Sequence, residues 1–249
     1  DTSLKGDIYD VYKKGLKLQI TKNASIKYDV GVDLKLSHLY KSKETGMYEN
    51  LIPSVPEKLP IKDNSFSTVF LYTFHGLSDY RKSLQEIRRV IKKDGLLLVL
   101  AVNNTVKENF VCFKVHEYCK RKGWVKLSEY FLKLDGGRYH EIGTLFSKNI
   151  EEWKQLFQET HFQIEDAYSQ VSPFLWMIYD TQSRPFLRVL IRISQLLASI
   201  YLKKVIKFLW VVLWLPVLCI FYLLLAKPVR VSSDEVPKGI FLAIRLKPI

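Results

Sequence analysis

An acid at the end of a short β-rich run is the first group in this chain whose type and place could do chemistry. Tyr28 to Asp33 reads YDVGVD. An acid at the tip of a parallel strand can accept two hydrogen bonds from the vicinal hydroxyls of a ribose at the carboxyl edge of a sheet. An aspartate after a strand is, taken alone, more often a helix cap, so both roles stay open for Asp33. His116 and Cys119 stand at i, i+3, but no companion pair is visible, and no metal site is expected. Cys112, Cys119 and Cys219 show no C-x-x-C spacing and are too scattered for a disulfide framework, which makes a reducing compartment the default.

Holding such an acid takes a sheet, and the chain carries the pattern for one. Ser67 to Tyr72 (STVFLY) is a continuous apolar run, as in a strand covered on both faces. Tyr80, Leu84, Ile87 and Ile91 follow at i, i+4, i+7 and i+11, predicting a helix bounded by Ser78 or Asp79 and by Gly95. Leu96 to Val102 (LLLVLAV) predicts another buried strand. Strand, helix and strand in this order imply a parallel sheet with right-handed crossovers. Asn149 and Glu152 form a capping-box start to a helix that turns Ile150, Trp153 and Phe157 inward. Strands are expected around Phe162 to Ser169 and Gly239 to Leu246.

The segment from Glu57 to Val102 resembles the central part of a class I S-adenosylmethionine-dependent methyltransferase of the type 11 group. Leu59-Pro60-Ile61 stands where that family has its L-P-F turn. Asp63-Asn64-Ser65-Phe66 stands at D-x-S-F, and the run from Leu84 to Lys92 (LQEIRRVIK) at L-x-E-x-x-R-V-L-K. The resemblance covers roughly residues 1–170 and the last strand. It implies a Rossmann-like α/β fold: a mostly parallel sheet with helices on both faces and an antiparallel last strand. Departures exist. The family's adenine-contacting acid aligns with Val55, its fourth-strand acid with Ser67, and its P-G-G turn with Lys93-Asp94-Gly95. No GxGxG loop precedes Asp33, and the chain begins with Asp1, the residue that often follows that loop. Two expectations result: an N-terminally incomplete chain lacking its first strand, or a degenerate fold that no longer binds cofactor.

The resemblance implies S-adenosylmethionine as cofactor and methyl transfer by in-line displacement from a sulfonium. Asp33 would take the ribose role, with Asp1, Leu34, Val55 and Pro56 also against the cofactor and the turn around Val55 walling the adenine. Leu71, Tyr72 and Thr73 would lie beneath the methionine portion. Because the leaving group is already activated, much of the catalysis can come from holding a nucleophile in line. His75, after the fourth strand, is the first candidate for base or orienter. His140, beside Tyr139 in the 103–147 insertion where such enzymes keep their substrate lids, is the second. For either histidine a surface or structural role remains open.

The composition adds a second theme. The chain has 249 residues, 38 basic and 25 acidic, for a net charge of +13, yet its mean hydropathy is −0.02. Charged residues at 25% beside 48% hydrophobic residues exclude a disordered tail protein. A very apolar segment must offset the basic excess, and Phe208 to Ala226 runs for nineteen residues without a charge. As a helix it would span roughly 28 Å, close to the hydrocarbon thickness of a bilayer. Before it, Arg184, Arg188, Arg192, Gln195, Ser199, Lys203 and Lys207 form one polar stripe on an otherwise oily helix, the pattern of an interfacial helix on anionic lipid.

Three regions are therefore expected: a methyltransferase-like domain over 1–172, inserted membrane-associated helices over 173–236, and a last strand over 237–249. Both flanks of the apolar run are cationic and Pro216 sits near its centre. A re-entrant or interfacial hairpin is accordingly preferred to a spanning helix. The expected setting is membrane-associated with a cytoplasmic catalytic domain, without a secretory signal. The expected partners are a lipid surface and a lipid-linked or small-molecule acceptor. No nucleic acid is expected, since the cations concentrate beside the apolar run and no nucleic-acid motif is present. The alternative is a non-catalytic, membrane-docked methyltransferase-like scaffold.

Overall fold

A computed structural model of the chain describes residues 26–71, 77, 79–181, 208, 212, 215, 216, 219, 220, 229, 230 and 239–249. It falls into two compact units, Asp1–Pro60 and Ile61–Ile249.

In the first unit, strand β1 (Tyr28–Asp33), helix α1 (Leu36–Thr45) and strand β2 (Tyr48–Pro53) form one β-α-β crossover. The strands run parallel, from Tyr28 opposite Tyr48 to Asp33 opposite Pro53. Val30 and Val32 suit the pleat. Gly46 adopts a left-handed conformation (φ 63°) and its N–H donates to the Lys43 carbonyl, which ends α1. This register puts Asp33 at the carboxyl edge of the pair, as expected for β1.

The second unit contains β3 (Phe66–Leu71), α2 (Tyr80–Val90), β4 (Ile91–Val102), α3 (Val111–Arg121), α4 (Val125–Asp135), α5 (Ile150–Glu159), β5 (Phe162–Gln170), α6 (Pro173–Thr181), β6 (Val229–Arg230) and β7 (Phe241–Pro248). Its sheet has the order β3-β4-β7-β5-β6. β3 and β4 are parallel, and β7 lies antiparallel between β4 and β5. The fold is therefore α/β and Rossmann-like, with a mixed sheet closed by an antiparallel last strand.

The core is built by the residues whose periodicity marked them. Leu84 and Ile87 from α2, and Trp153 and Phe157 from α5, pack on Leu97, Val99, Leu242, Ile244 and Leu246 of the sheet. The Trp153 indole N–H donates to the Val102 carbonyl (3.1 Å), so its one polar atom is satisfied inside that core. At the start of α5, Asn149 Oδ1 accepts from the Glu152 N–H (2.8 Å) while Glu152 accepts from the Asn149 N–H (2.7 Å). The expected capping box is formed.

Two local expectations are corrected. The helix does not run to Gly95: α2 ends at Val90, and Ile91 already pairs with Phe66. The next partners are Thr68 and Leu96, so Lys92 to Gly95 bulge out of the ladder. A Cβ on Gly95 would lie 2.6 Å from Ile91 Cγ1 and 2.9 Å from the Lys92 carbonyl oxygen, which is why glycine stands there. Nor is β3 covered on both faces, because Phe70 is 59% exposed.

No helix among the described residues is long and apolar enough to cross a membrane. The basic stripe from Arg184 to Lys207 lies outside the described residues. The apolar run is described only at Phe208, Val212, Leu215, Pro216, Cys219 and Ile220, all helical and all exposed.

Candidate cofactor site

The expected ribose acid sits in a defined setting. Asp33 ends β1, and its Oδ1 accepts from the Lys35 N–H (2.7 Å) just ahead of α1. Its Oδ2 lies 3.0 Å from His38 Nδ1, on the first turn of α1; a neutral ring with its proton on Nδ1 donates there. Asp33 therefore closes a short turn ahead of α1, whose N-cap is Lys35, rather than capping the helix itself, and these bonds do not exhaust the group. A carboxylate oxygen has two lone pairs, so each Asp33 oxygen keeps a further acceptor site. The side chain is 39% exposed. A vicinal diol is a ligand this carboxylate fits. His38 was not legible as a partner, because its pairing depends on where α1 begins.

Leu34, Val55 and Pro56 share this edge. The Ser54 N–H donates to the Asp33 carbonyl (3.3 Å), which joins the residue after β2 to the end of β1. The Val55–Lys58 turn is closed by the Lys58 N–H to the Val55 carbonyl (3.2 Å) and by Ser54 Oγ to the Lys58 carbonyl (2.8 Å). Leu34 (54%) and Val55 (38%) are exposed apolar side chains beside an acid. That combination can take the flat face of a base and the polar edge of a sugar.

In the second unit, Leu71 ends β3. Asp1, Tyr72, Thr73 and His75 lie outside the described residues. His140 is described: it is exposed, in a wide helical turn spanning Tyr139–Phe146, with Nδ1 3.3 Å from Thr144 Oγ1. Its neighbour Tyr139 stacks flat on Phe113, with centroids 3.5 Å apart.

The most specific sequence block turns out to brace the fold. Arg89 Nη1 donates to the Ile61 carbonyl (2.7 Å) and to Asp63 Oδ1 (2.6 Å), while its Nε and Nη2 donate to Glu86 (3.0 and 2.8 Å). These charge-assisted bonds, from Glu86 first and Asp63 second, hold the guanidinium pKa above its ordinary value. The Asn64 and Ser65 N–H groups donate to the Arg89 and Val90 carbonyls, which fastens the turn that leads into β3. The E-x-x-R spacing thus joins the end of α2 to that turn.

A buried polar cluster in the same unit had only one sequence signal, a lone acid in the apolar run of α6. Asp180 is fully buried; its Oδ2 accepts from the Val111 N–H (2.8 Å) and its Oδ1 pairs with Arg138. The Arg138 guanidinium also lies over the Phe110 ring at 5.7 Å. Asp135, likewise buried, accepts from the Tyr139 N–H (3.1 Å). The two Asp180 bonds fasten the 103–147 insertion to α6.

Residues 15–99 match the family described as a methyltransferase domain. Over this stretch the chain is similar to the class I S-adenosylmethionine-dependent methyltransferases of the type 11 group. A similar protein is an uncharacterized protein of Methanocaldococcus jannaschii, 34% identical over 104 residues. That match covers 41% of this chain and 44% of the relative, so the chain spans less than half of the curated relative's length. Among solved structures, a methyltransferase of Thermotoga maritima, titled a possible histamine N-methyltransferase, is 16% identical with a TM-score of 0.49. The alignment covers 88% of this chain and 72% of that one. The YcgJ protein of Bacillus subtilis is 17% identical with a TM-score of 0.39, over 87% of this chain and 78% of that one.

Proposed function

We propose that the protein transfers a methyl group from S-adenosylmethionine to a lipid-linked or membrane-proximal acceptor. The observation that carries cofactor binding is the half-exposed Asp33 carboxylate at the carboxyl end of parallel β1, with acceptor capacity left on both oxygens. Asp33 takes the ribose hydroxyls, while Leu34, Val55 and Pro56 border the adenine. Leu71, Tyr72, Thr73 and Asp1 complete the proposed cofactor contacts. When bound, the sulfonium supplies a methyl group that is already activated. What this chain must then do is exclude water and align the acceptor. His75 is the proposed base or orienter. His140 is the second candidate, and its exposure suits a group that meets substrate on entry.

Support for a lipid acceptor comes from the apolar run. Phe208 (66%), Val212 (49%) and Leu215 (56%) recur at i, i+4 and i+7 as exposed side chains, with Ile220 (56%) nearby. Apolar side chains repeating along one exposed helical face call for an apolar surrounding. The proposed setting is a membrane-associated enzyme with its α/β domain at the cytoplasmic surface.

The test is incubation of the full-length protein with methyl-labelled S-adenosylmethionine and a total lipid extract, followed by partition into organic solvent. Label is expected in the organic phase. Label confined to soluble small molecules would remove the lipid acceptor while keeping the methyltransferase. No transfer together with no cofactor binding would leave the scaffold reading in its place.

A further inference from the structure

The hairpin formed by α3 and α4 lies outside everything assigned to the cofactor. Lys120 to Leu127 (KRKGWVKL) is a run of eight consecutive exposed residues. It holds four cations, Lys120, Arg121, Lys122 and Lys126, and no acid. Between them stand Trp124 (52% exposed), Val125 (63%) and Leu127 (43%). Gly123 takes a left-handed conformation (φ 73°) and reverses the chain, so Trp124 and Val125 occupy the apex.

The apex is held firmly from behind. The Trp124 N–H donates to the Cys119 carbonyl (2.9 Å), and Cys119 itself is buried. Ser128 Oγ lies 2.9 Å from His116 Nδ1, which joins the two helices one turn further in. Tyr118 meets Trp124 edge to face at 6.1 Å, and Lys122 Nζ lies 6.0 Å from the Tyr118 ring centre. A turn so fastened, exposing an indole and two aliphatic side chains among four cations, leaves apolar surface outside its own core. Its chemistry matches the headgroup level of an anionic bilayer, where Trp and Tyr settle and Lys and Arg meet lipid phosphates.

We propose that the α3–α4 hairpin docks the protein on anionic lipid, with Trp124, Val125 and Leu127 entering the interface and the four cations contacting headgroups. This goes beyond the methyl-transfer reading and stands without it, since docking here needs neither cofactor nor acceptor. Nucleic acid is the competing partner for the cations. Single-stranded RNA would use an aromatic ring for stacking but has no use for Val125 and Leu127. The lipid surface uses all of them.

The experiment reads the apex directly, so lipid contacts elsewhere in the full chain do not mask it. Cys219, the exposed free cysteine among those described, is changed to Ser. Val125→Cys is then labelled with an environment-sensitive fluorophore, and Glu151→Cys on α5 is the control. With phosphatidylserine-containing vesicles that carry a spin-labelled lipid, the label at 125 is expected to shift to the blue and be quenched, while the label at 151 stays in water. Lys120→Gln, Lys122→Gln and Lys126→Gln should each weaken the response about fivefold, and together roughly a hundredfold, from about 1 kcal/mol per cation. A label at 125 that stays in water with vesicles, or that responds to single-stranded RNA instead, would overturn the proposal.

Discussion

The two units differ in what their residues are for. In Asp1–Pro60, Leu39 is the one buried hydrophobic side chain among the described residues, and Asp33, Leu34, Val55 and Pro56, four of the residues proposed to meet cofactor, lie at or just after the carboxyl ends of its two strands. In Ile61–Ile249, a continuous core runs from α2 through the five-stranded sheet to α5. The sequence block that most strongly resembles the methyltransferase family, Leu84 to Lys92, belongs to this second unit. There it packs the core through Leu84 and Ile87 and braces a turn through Glu86 and Arg89. Specificity of a motif and nearness to the chemistry are therefore separate properties in this molecule. The family signature reports how the sheet is built, and a less distinctive acid, Asp33, carries the proposed binding.

That contrast can be broken at its strongest point. Trp153→Ala leaves a cavity in the core of the second unit, although the Val102 carbonyl keeps its bond from the Lys148 N–H, and it should cost about 4 kcal/mol, read from urea unfolding. A loss below about 1 kcal/mol would mean that the core is not continuous. Asp180→Ala comes next. It leaves the nearly buried Arg138 guanidinium without its carboxylate and removes the acceptor of the Val111 N–H. About 3 kcal/mol should be lost, and protection of α3 amides from hydrogen exchange should fall first. Asn149→Ala removes half of a capping box and should cost about 1 kcal/mol, visible as a small fall in melting temperature.

The smallest expected effect is with pH. Hydrogen bonds from Gln155 and then Arg81 hold the Glu159 carboxyl below its ordinary value, and the Lys82 N–H does the same for Asp79. Because these pKa values are lower folded than unfolded, the unfolded chain binds protons first as pH falls. Their contribution is full above the ordinary carboxylate range and disappears as pH drops through the lower folded values. Both groups are exposed, so the slope in the acid limb of a stability-versus-pH curve should be shallow, and Arg81→Ala should reduce it.

Much of this fold is legible in the sequence. β1 came out at its expected ends, β5 and β7 within two residues of theirs, and the Asn149 cap as read, because each follows from alternation, apolar runs or a local side-chain bond. The α2–β4 junction is hidden in the sequence because Ile91 continues the helical spacing, although it is already paired with Phe66. Only the backbone shows that Lys92 to Gly95 leave the ladder. The Asp33–His38 and Arg138–Asp180 pairs escaped for a different reason. The first depends on the start of α1, and the second joins residues 42 positions apart in sequence. Spacing rules do not reach that far.

The central claim is that Asp33 holds the hydroxyls of a nucleoside, and calorimetric titration tests it most directly. The full-length protein and its Asp33→Asn variant, which keeps an acceptor for the Lys35 N–H, would each be titrated with S-adenosylhomocysteine and with its 2′-deoxy analogue. Hydrogen bonds to a charged group contribute about 1.5–3 kcal/mol. The protein should therefore bind the complete ligand at least tenfold more tightly than the deoxy analogue, and Asp33→Asn should erase that preference with little change in melting temperature. Equal affinity for the two ligands, or a preference that survives in Asp33→Asn, would contradict the account.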